Sequence, residues 1–507
     1  MRMNILAKWY LQKVKGLNLP KDLIKYSIKK HHDKIAVIDG DRQATYGELY
    51  ERAVRLSNIL TSLGIGKGDK LGVLLYNCQE YFEIRIASYL TGIVLVPIIW
   101  DMPVEDIIFI LNDCEVKSLI YHPEILEDEL EKVKQKTSVK NYIPVPYEGL
   151  MVNKPGIEPH VDIKFEDLAS INFSSGSTGR PKGIMLTHGN WVSSFYNYLL
   201  NSPRARTDNM VFMHLLPLST AGGTSFLPMF MLGAKNILTK KIDPARAVEL
   251  IEKYSVNAFF TSSSLFIDLL DHCKNEKKKP DLFRIIVGTE TLPKAKFVEA
   301  IEYFGPVIQR GYGMAEVLPP LTLLNSDDYM NNDTVDERNI SSVGKALLGV
   351  KLEAAKDTGK LVIKSSTVSK GYWNQDVINA RMYKDGSFFS NDFGYCGKDG
   401  YWYVTGREED IVKDDGGKKY FVYQIEEILH ENPAVLLACV FKGGDGKITA
   451  SVSLRRGQKN IDSESLREFC AARLVSEGLP VPDLFKIVQE IPVRATGKID
   501  RKKIKGS

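Results

Sequence analysis

The chain has 507 residues, 44% of them hydrophobic, enough for two or more domains that each bury their own core. Lysine and arginine total 67 against 63 acids, a formal charge of +4, so bulk electrostatics gives no reason to expect a nucleic-acid partner. The cysteines, Cys78, Cys114, Cys273, Cys396, Cys439 and Cys470, lie far apart without metal-ligand spacing and are expected as core or surface thiols in a reducing cytoplasm.

The basic N-terminus lacks both a continuous apolar segment and a small-residue cleavage site, so a terminal helix is expected there and not a targeting peptide. Thr45 and Glu48 have capping-box spacing, Leu49, Ala53, Leu56, Leu60 and Leu63 form an apolar stripe, and Gly64 stands where that helix should stop. Residues 71–76 and 93–99 read as strands buried on both faces, separated by a helix over 80–89, which is a parallel α/β unit. The rhythm returns at 257–261 and 285–287, as in a doubly wound fold. The most apolar stretch, 211–232, is broken by His214, Pro217, Gly222, Gly223 and Pro228, so no membrane span is expected.

Beyond Gly406 the texture changes. An acidic, Gly-rich loop (KDDGGKK), a helix over 424–430, a strand over 448–454 and a helix bearing Leu466, Phe469, Cys470 and Leu474 predict a small α+β domain. The expected organisation is α/β, with a large N-terminal domain over 1–405 and a C-terminal domain over 406–507.

Residues 170–190, SINFSSGSTGRPKGIMLTHGN, concentrate small hydroxyls, glycines and two cations between apolar Ile171 and Phe173 and a helix that can start after Thr187. A loop joining strand to helix in this way can surround a polyphosphate with backbone N–H groups, hydroxyls and the charges of Arg180 and Lys182. It is not a P-loop, because Lys182 follows Pro181 and precedes Gly183 with no hydroxyl after it.

SSGSTGRPKG closely resembles the nucleotide loop of the adenylate-forming superfamily, which includes acyl-CoA synthetases, luciferases and the adenylation domains of peptide synthetases. The other motifs follow in order: ATYGEL at 44–49, YLTGIVLVPI at 89–98, GYGMAE at 311–316, GKLVIKS at 359–365 with GYW at 371–373, FFSNDFG at 388–394, GREEDIVK at 406–413 and IPVRATGKIDR at 491–501. The resemblance implies doubly wound sheets in the large domain and a mobile small domain.

It also implies the site. Ser174, Ser175, Gly176, Ser177, Thr178, Gly179 and Lys182 would cradle the phosphates of ATP, with Thr289, Glu290, Tyr312 and Gly313 around the nucleotide and Tyr312 against adenine. Asp392 would accept from the ribose hydroxyls, Arg407 would sit at the nucleotide, and Glu316 would hold Mg²⁺ as a hard oxygen ligand. Lys498 would bridge the α-phosphate and the attacking carboxylate. Glu409 matches the hinge about which the C-terminal domain rotates between two half-reactions. Substrate-pocket candidates are Thr220, Ala221, Thr224, Val287, Gly288, Gly311 and Pro319, whose small side chains and hydroxyls suit an aryl or medium acyl carboxylate.

Several positions depart from the family's pattern. Ala315 replaces the threonine of YGxTE, deleting a hydrogen bond worth about 0.5–1.5 kcal/mol. Thr220 stands where amino-acid-activating relatives carry an aspartate for the substrate ammonium, so an α-amino acid is not expected. Ser219 and Thr220 replace an aromatic and a histidine in LLPLSTAGG, with His214 expected to be structural. Gln424 replaces a customary acid. The sequence therefore predicts an ATP- and Mg²⁺-dependent acid:thiol ligase with CoA as acceptor. A separate phosphopantetheinylated carrier protein is the alternative acceptor, and a non-catalytic nucleotide binder or a luciferase-type oxygenase are the remaining rivals.

Overall fold

The computed structural model describes residues 17–152, 156–174, 179–201, 209–240, 243–331, 334–414, 416–458 and 461–505. Most of the expected N-terminal helix lies outside them; the first described helix is Pro20–His31.

Two large sheets form the N-terminal part. In one, the strands run Asn141–Pro144, Ser118–Tyr121, Lys70–Leu74, Val94–Ile98, Leu168–Ser174 and Lys182–Thr187. All neighbours are parallel except the last pair. Every residue of Val94–Ile98 is buried, because helices cover both faces of a parallel sheet and leave no polar side for alternation. The other sheet spans nine described strands, with Ala258–Ser262, Arg284–Gly288 and Ile308–Met314 parallel at its centre and Val317–Leu324 folding back antiparallel.

Local chemistry sets the boundaries. The helix Tyr46–Ser62 starts at the expected capping box, with Glu48 N donating to Thr45 Oγ1 at 3.1 Å and Thr45 N to Glu48 Oε2 at 2.7 Å. The helix Gln79–Thr91 ends at Gly92, whose φ of +71° favours a residue without Cβ.

An antiparallel sheet follows, in which Trp402–Arg407 pairs with Ser387–Cys396. The expected boundary between 405 and 406 thus falls inside a strand, and the chain leaves this sheet through the single turn Glu408–Asp410. The C-terminal part then forms a three-stranded sheet, Val435–Lys442, Ile448–Leu454 and Leu484–Val488, backed by the helices Val422–His430 and Ser463–Ser476. Leu466, Cys470 and Leu474 are buried as the periodicity predicts, but Phe469 is 45% exposed because it sits one position off that stripe.

Candidate active site

The two parts meet through the segment that carries Lys498. Val493 and Ile499 form an isolated antiparallel bridge, Gly497 N donates to Arg494 O at 2.8 Å, and Gly497 has φ +76°. This tight hairpin presses on the N-terminal part: a Cβ at Gly497 would collide with Ser262 Oγ and Leu216. Two carboxylates of the N-terminal part accept its backbone N–H groups, Glu290 Oε1 from Ile499 N at 2.9 Å and Asp101 Oδ2 from Ala495 N at 2.8 Å.

Behind the hairpin, Arg455 bridges Asp271 at 2.9 Å and Glu299 at 2.6 Å, and the buried Lys296 ammonium donates to Val435 O at 2.6 Å. Burial lowers the Lys296 pKa to about 8.

The docked hairpin brings Lys498 within electrostatic reach of Arg407, Glu290, Asp392 and Glu316. Burial, then the Arg407 charge, lower the Lys498 pKa, while the three carboxylates oppose that shift. Burial raises the Glu290 pKa, and its Oε2 accepts from Ser264 Oγ at 2.8 Å.

Asp392 is 6% exposed and lies between two partners, accepting from Tyr312 Oη at 2.7 Å and pairing with Arg407 Nε at 3.2 Å. The Asp392 charge holds the Arg407 guanidinium protonated above its usual range, and burial with Asp392 raises the Tyr312 phenol. Ser390, two residues earlier in FFSNDFG, donates its hydroxyl to Leu361 O at 2.8 Å and accepts from Asp392 N at 3.2 Å, fixing the backbone before the carboxylate.

Glu316 occupies the turn after Ile308–Met314, beside Ala315. Tyr372, in the GYW motif but without a predicted role, donates its hydroxyl to Glu316 Oε1 at 2.8 Å, and the Lys182 ammonium lies 5.9 Å from the Tyr372 ring centroid. Among the described residues no three His, Cys, Asp or Glu side chains cluster as a metal cage. A single hard carboxylate beside Tyr372 fits Mg²⁺, which keeps waters and takes few protein ligands.

The loop 170–190 differs from expectation in its connection. Ser174 pairs with Lys182 across an antiparallel ladder, and Lys182–Thr187 is a strand that precedes the helix His188–Asn201. The loop joins two strands and not a strand to a helix N-terminus, so the helix dipole is not its source of positive potential. The short segment KGIMLT is apolar at neighbouring positions and carries no period that separates strand from helix. Gly179 lies at the loop's described end. Ser175, Gly176, Ser177 and Thr178 lie outside the described residues.

The candidate acid-binding residues come from three places. Thr220 precedes the single-turn helix Ala221–Ser225, which carries Ala221 and Thr224. The Thr220 hydroxyl donates to Pro217 O at 3.1 Å and the Thr224 hydroxyl to Ala221 O at 2.7 Å. Gly288 ends one strand and Gly311 lies within its neighbour, paired with Leu323, and a Cβ at Gly288 would lie 3.2 Å from the Phe260 ring. Gly313 packs against Pro319, whose carbonyl accepts from Ser194 Oγ at 2.5 Å. Val287, in contrast, is fully buried in the core between sheet and helices, so neither its side chain nor its backbone is exposed to a substrate.

Thr289 follows with φ +69° and a buried hydroxyl that has no partner among the described residues. His214 is structural: it is 2% exposed, its Nε2 meets Asn236 Oδ1 at 2.9 Å, and burial lowers its pKa to about 4. Gln424 caps its own helix, accepting from Phe421 N at 3.3 Å.

A basic hairpin thus docks on the buried Glu290 carboxylate and holds Lys498 within electrostatic reach of Arg407. The AMP-binding enzyme family profile matches residues 24–373, and the chain belongs to that family. It is an AMP-forming ligase in class. It is 26% identical over 512 residues to a medium/long-chain-fatty-acid–CoA ligase of Mycobacterium tuberculosis, covering 94% of this chain and 88% of that protein. It is 27% identical over 488 residues to a 2-succinylbenzoate–CoA ligase of Bacillus cereus, covering 93% and 95%.

Among solved structures, the anthranilate CoA ligase AuaEII with anthranoyl-AMP superposes with a TM-score of 0.87 at 22% identity, covering 96% of both chains. The amide bond synthetase McbA of Marinactinospora thermotolerans superposes at 0.81 with 21% identity, covering 96% and 99%. These likenesses establish the two-domain adenylate-forming fold. No helix among the described residues is long and apolar enough to cross a membrane.

Proposed function

We propose that this enzyme activates a carboxylic acid, aryl or fatty acyl, with ATP and transfers it to the thiol of CoA. The observation that supports this reading is the Lys498 ammonium within electrostatic reach of Arg407, Asp392 and Glu316, with Arg407 paired to Asp392 at 3.2 Å. In the first half-reaction a carboxylate oxygen bonds to the α-phosphorus and the bond to pyrophosphate breaks. Two anions must approach each other, so the fixed charges of Lys498 and Arg407 lower the barrier by meeting charge already in place. Asp392, oriented by Tyr312 and Arg407, accepts from the ribose hydroxyls. Glu316 would hold Mg²⁺, which when bound would supply positive charge to offset the negative charge of the phosphates.

In the second half-reaction the thiol sulfur bonds to the acyl carbon, AMP leaves, and the thiol proton passes to solvent. We place the hinge at Glu409, in the turn Glu408–Asp410, about which the C-terminal part would carry Lys498 away. An α-amino acid is disfavoured because the segment Leu215–Gly223 carries no acid to pair an ammonium, and an unpaired buried charge costs several kcal/mol, about the scale that excludes a substrate.

The test is acid-dependent pyrophosphate release over aryl, short-chain and long-chain acids, without thiol, with CoA, and with a phosphopantetheinylated carrier protein. Release accelerated by CoA with one acid class supports the reading and names the class. Acceleration by the carrier protein alone replaces CoA as acceptor, and silence with every acid refutes the ligase.

A further inference from the structure

The helix Gln79–Thr91 buries a cation for which the proposed chemistry has no use. Arg85 is 2% exposed, and its guanidinium lies 4.7 Å from the Trp191 ring, 5.6 Å from Phe226 and 5.8 Å from Tyr81. The acids of the same helix are engaged elsewhere, Glu80 with Arg42 at 2.6 Å and Glu83 with Arg52 at 2.6 Å. Arg85 instead donates to two backbone carbonyls, Nη1 to Gly223 O at 3.2 Å and Nη2 to Leu218 O at 3.4 Å. Those carbonyls bracket Thr220, Ala221 and Gly222. Gly223 allows the approach, since a Cβ there would stand 2.8 Å from Nη2.

Asn77 also holds the segment's N-terminal end, its Oδ1 accepting from Leu218 N at 2.8 Å and its Nδ2 donating to Leu216 O at 3.1 Å. A methionine would fill the volume of Arg85 without desolvating a charge, but it could not tie two carbonyls. The aromatic rings repay part of the desolvation by cation–π attraction, and the planar fork fixes the spacing between the two acceptors.

We propose that Arg85 is a positioning residue that sets acid selectivity by fixing the turn 218–223 at both ends. This rests on the reading that Thr220, Ala221 and Thr224 face the acid. Arg85 itself touches neither substrate.

The test compares the wild-type enzyme with Arg85→Met and Arg85→Lys. Amide hydrogen exchange of the ligand-free proteins is read over 215–225, and KM for acid and for ATP is measured by pyrophosphate release. In Arg85→Met, exchange over 218–225 should rise about ten-fold with other segments unchanged, KM for acid should rise about ten-fold, and KM for ATP should stay within about two-fold. Arg85→Lys, which keeps the charge and donors on one nitrogen but loses the planar fork that spaces them, should fall between and also serves if the methionine variant does not fold.

Unchanged exchange over 218–225 overturns the positioning role. Raised exchange with acid and ATP KM rising equally, or with neither rising, overturns the selectivity role. If the wild-type enzyme releases no pyrophosphate with any acid, the reading of function fails, and the exchange data still decide whether Arg85 holds the turn.

Discussion

The Glu290 carboxylate accepts a hydrogen bond from the Ile499 backbone N–H at 2.9 Å, one residue from the Lys498 ammonium whose charge it also favours. One side chain therefore docks the hairpin and tunes the cation it carries. Glu290→Gln keeps an acceptor but removes the charge, so the Lys498 pKa should fall further. The adenylation rate, which needs the charged lysine, should then lose its alkaline limb at a lower pH than in the wild type. A pH profile of pyrophosphate release checks this, and an unmoved limb would leave Glu290 only its docking role.

Lys498→Ala should reduce acyl-adenylate formation by about 100-fold or more, the scale of losing a preorganised charge at the transition state. Thioester formation from supplied acyl-adenylate should stay within several-fold of wild type, about the scatter of a neutral change. Equal loss of both steps would refute the assigned role.

Asp101→Ala removes the second carboxylate that accepts from the hairpin and is not among the charges that act on Lys498. Losing one exposed hydrogen bond, worth about 0.5–1.5 kcal/mol, should slow adenylation by about two- to ten-fold. Transfer from supplied acyl-adenylate should be unaffected, which a paired assay of the two steps decides.

Tyr312→Phe deletes the donor to Asp392 Oδ2 and leaves Arg407 as its partner. KM for ATP should rise by about three- to ten-fold, one hydrogen bond's worth, while KM for acid holds. Steady-state kinetics with each substrate varied separates the two.

Asp268 has its pKa raised from 3.8 to about 7, by burial first and then by the charges of Asp271 and Glu490. Between those values the folded state keeps a proton that the unfolded state has released, so this residue's contribution to stability falls as pH rises from about 4 to about 7. Asp268→Asn should remove that fall. The variant's urea midpoint should match wild type near pH 4 and exceed it above pH 7.

Elements whose signal is local were legible in the sequence. The capping box of Thr45 and Glu48, the doubly buried strand Val94–Ile98 and the strand Ile448–Leu454 all lie where propensity, pattern and packing agree. The order of motifs likewise anticipated the family. The docking contacts were not legible, because they join residues far apart along the chain: Asp101 and Ala495 are 394 positions apart, and neither stands in a patterned environment. Arg85 was hidden for a different reason. Within YFEIRIASYL a lone arginine reads as one more surface cation of a helix, and its complete burial follows only from the aromatic rings of Trp191 and Phe226 closing over it. Tyr372 could have been found from GYW, since a phenol beside a carboxylate-bearing turn is a natural hydrogen-bond donor.

Thr289 joins the strand Arg284–Gly288 to Glu290 with φ +69°, a conformation that a β-branched residue adopts only at a cost of about 1–3 kcal/mol. The surrounding contacts hold it there, since Ser263 Oγ anchors Glu290 O at 3.0 Å and Ser264 anchors its carboxylate. The fold thus stores backbone strain immediately before the residue that receives the Lys498 hairpin. A relaxed, extended Thr289 would carry Glu290 off its present heading. Conformational tension in the large domain is what keeps the dock open for the small one.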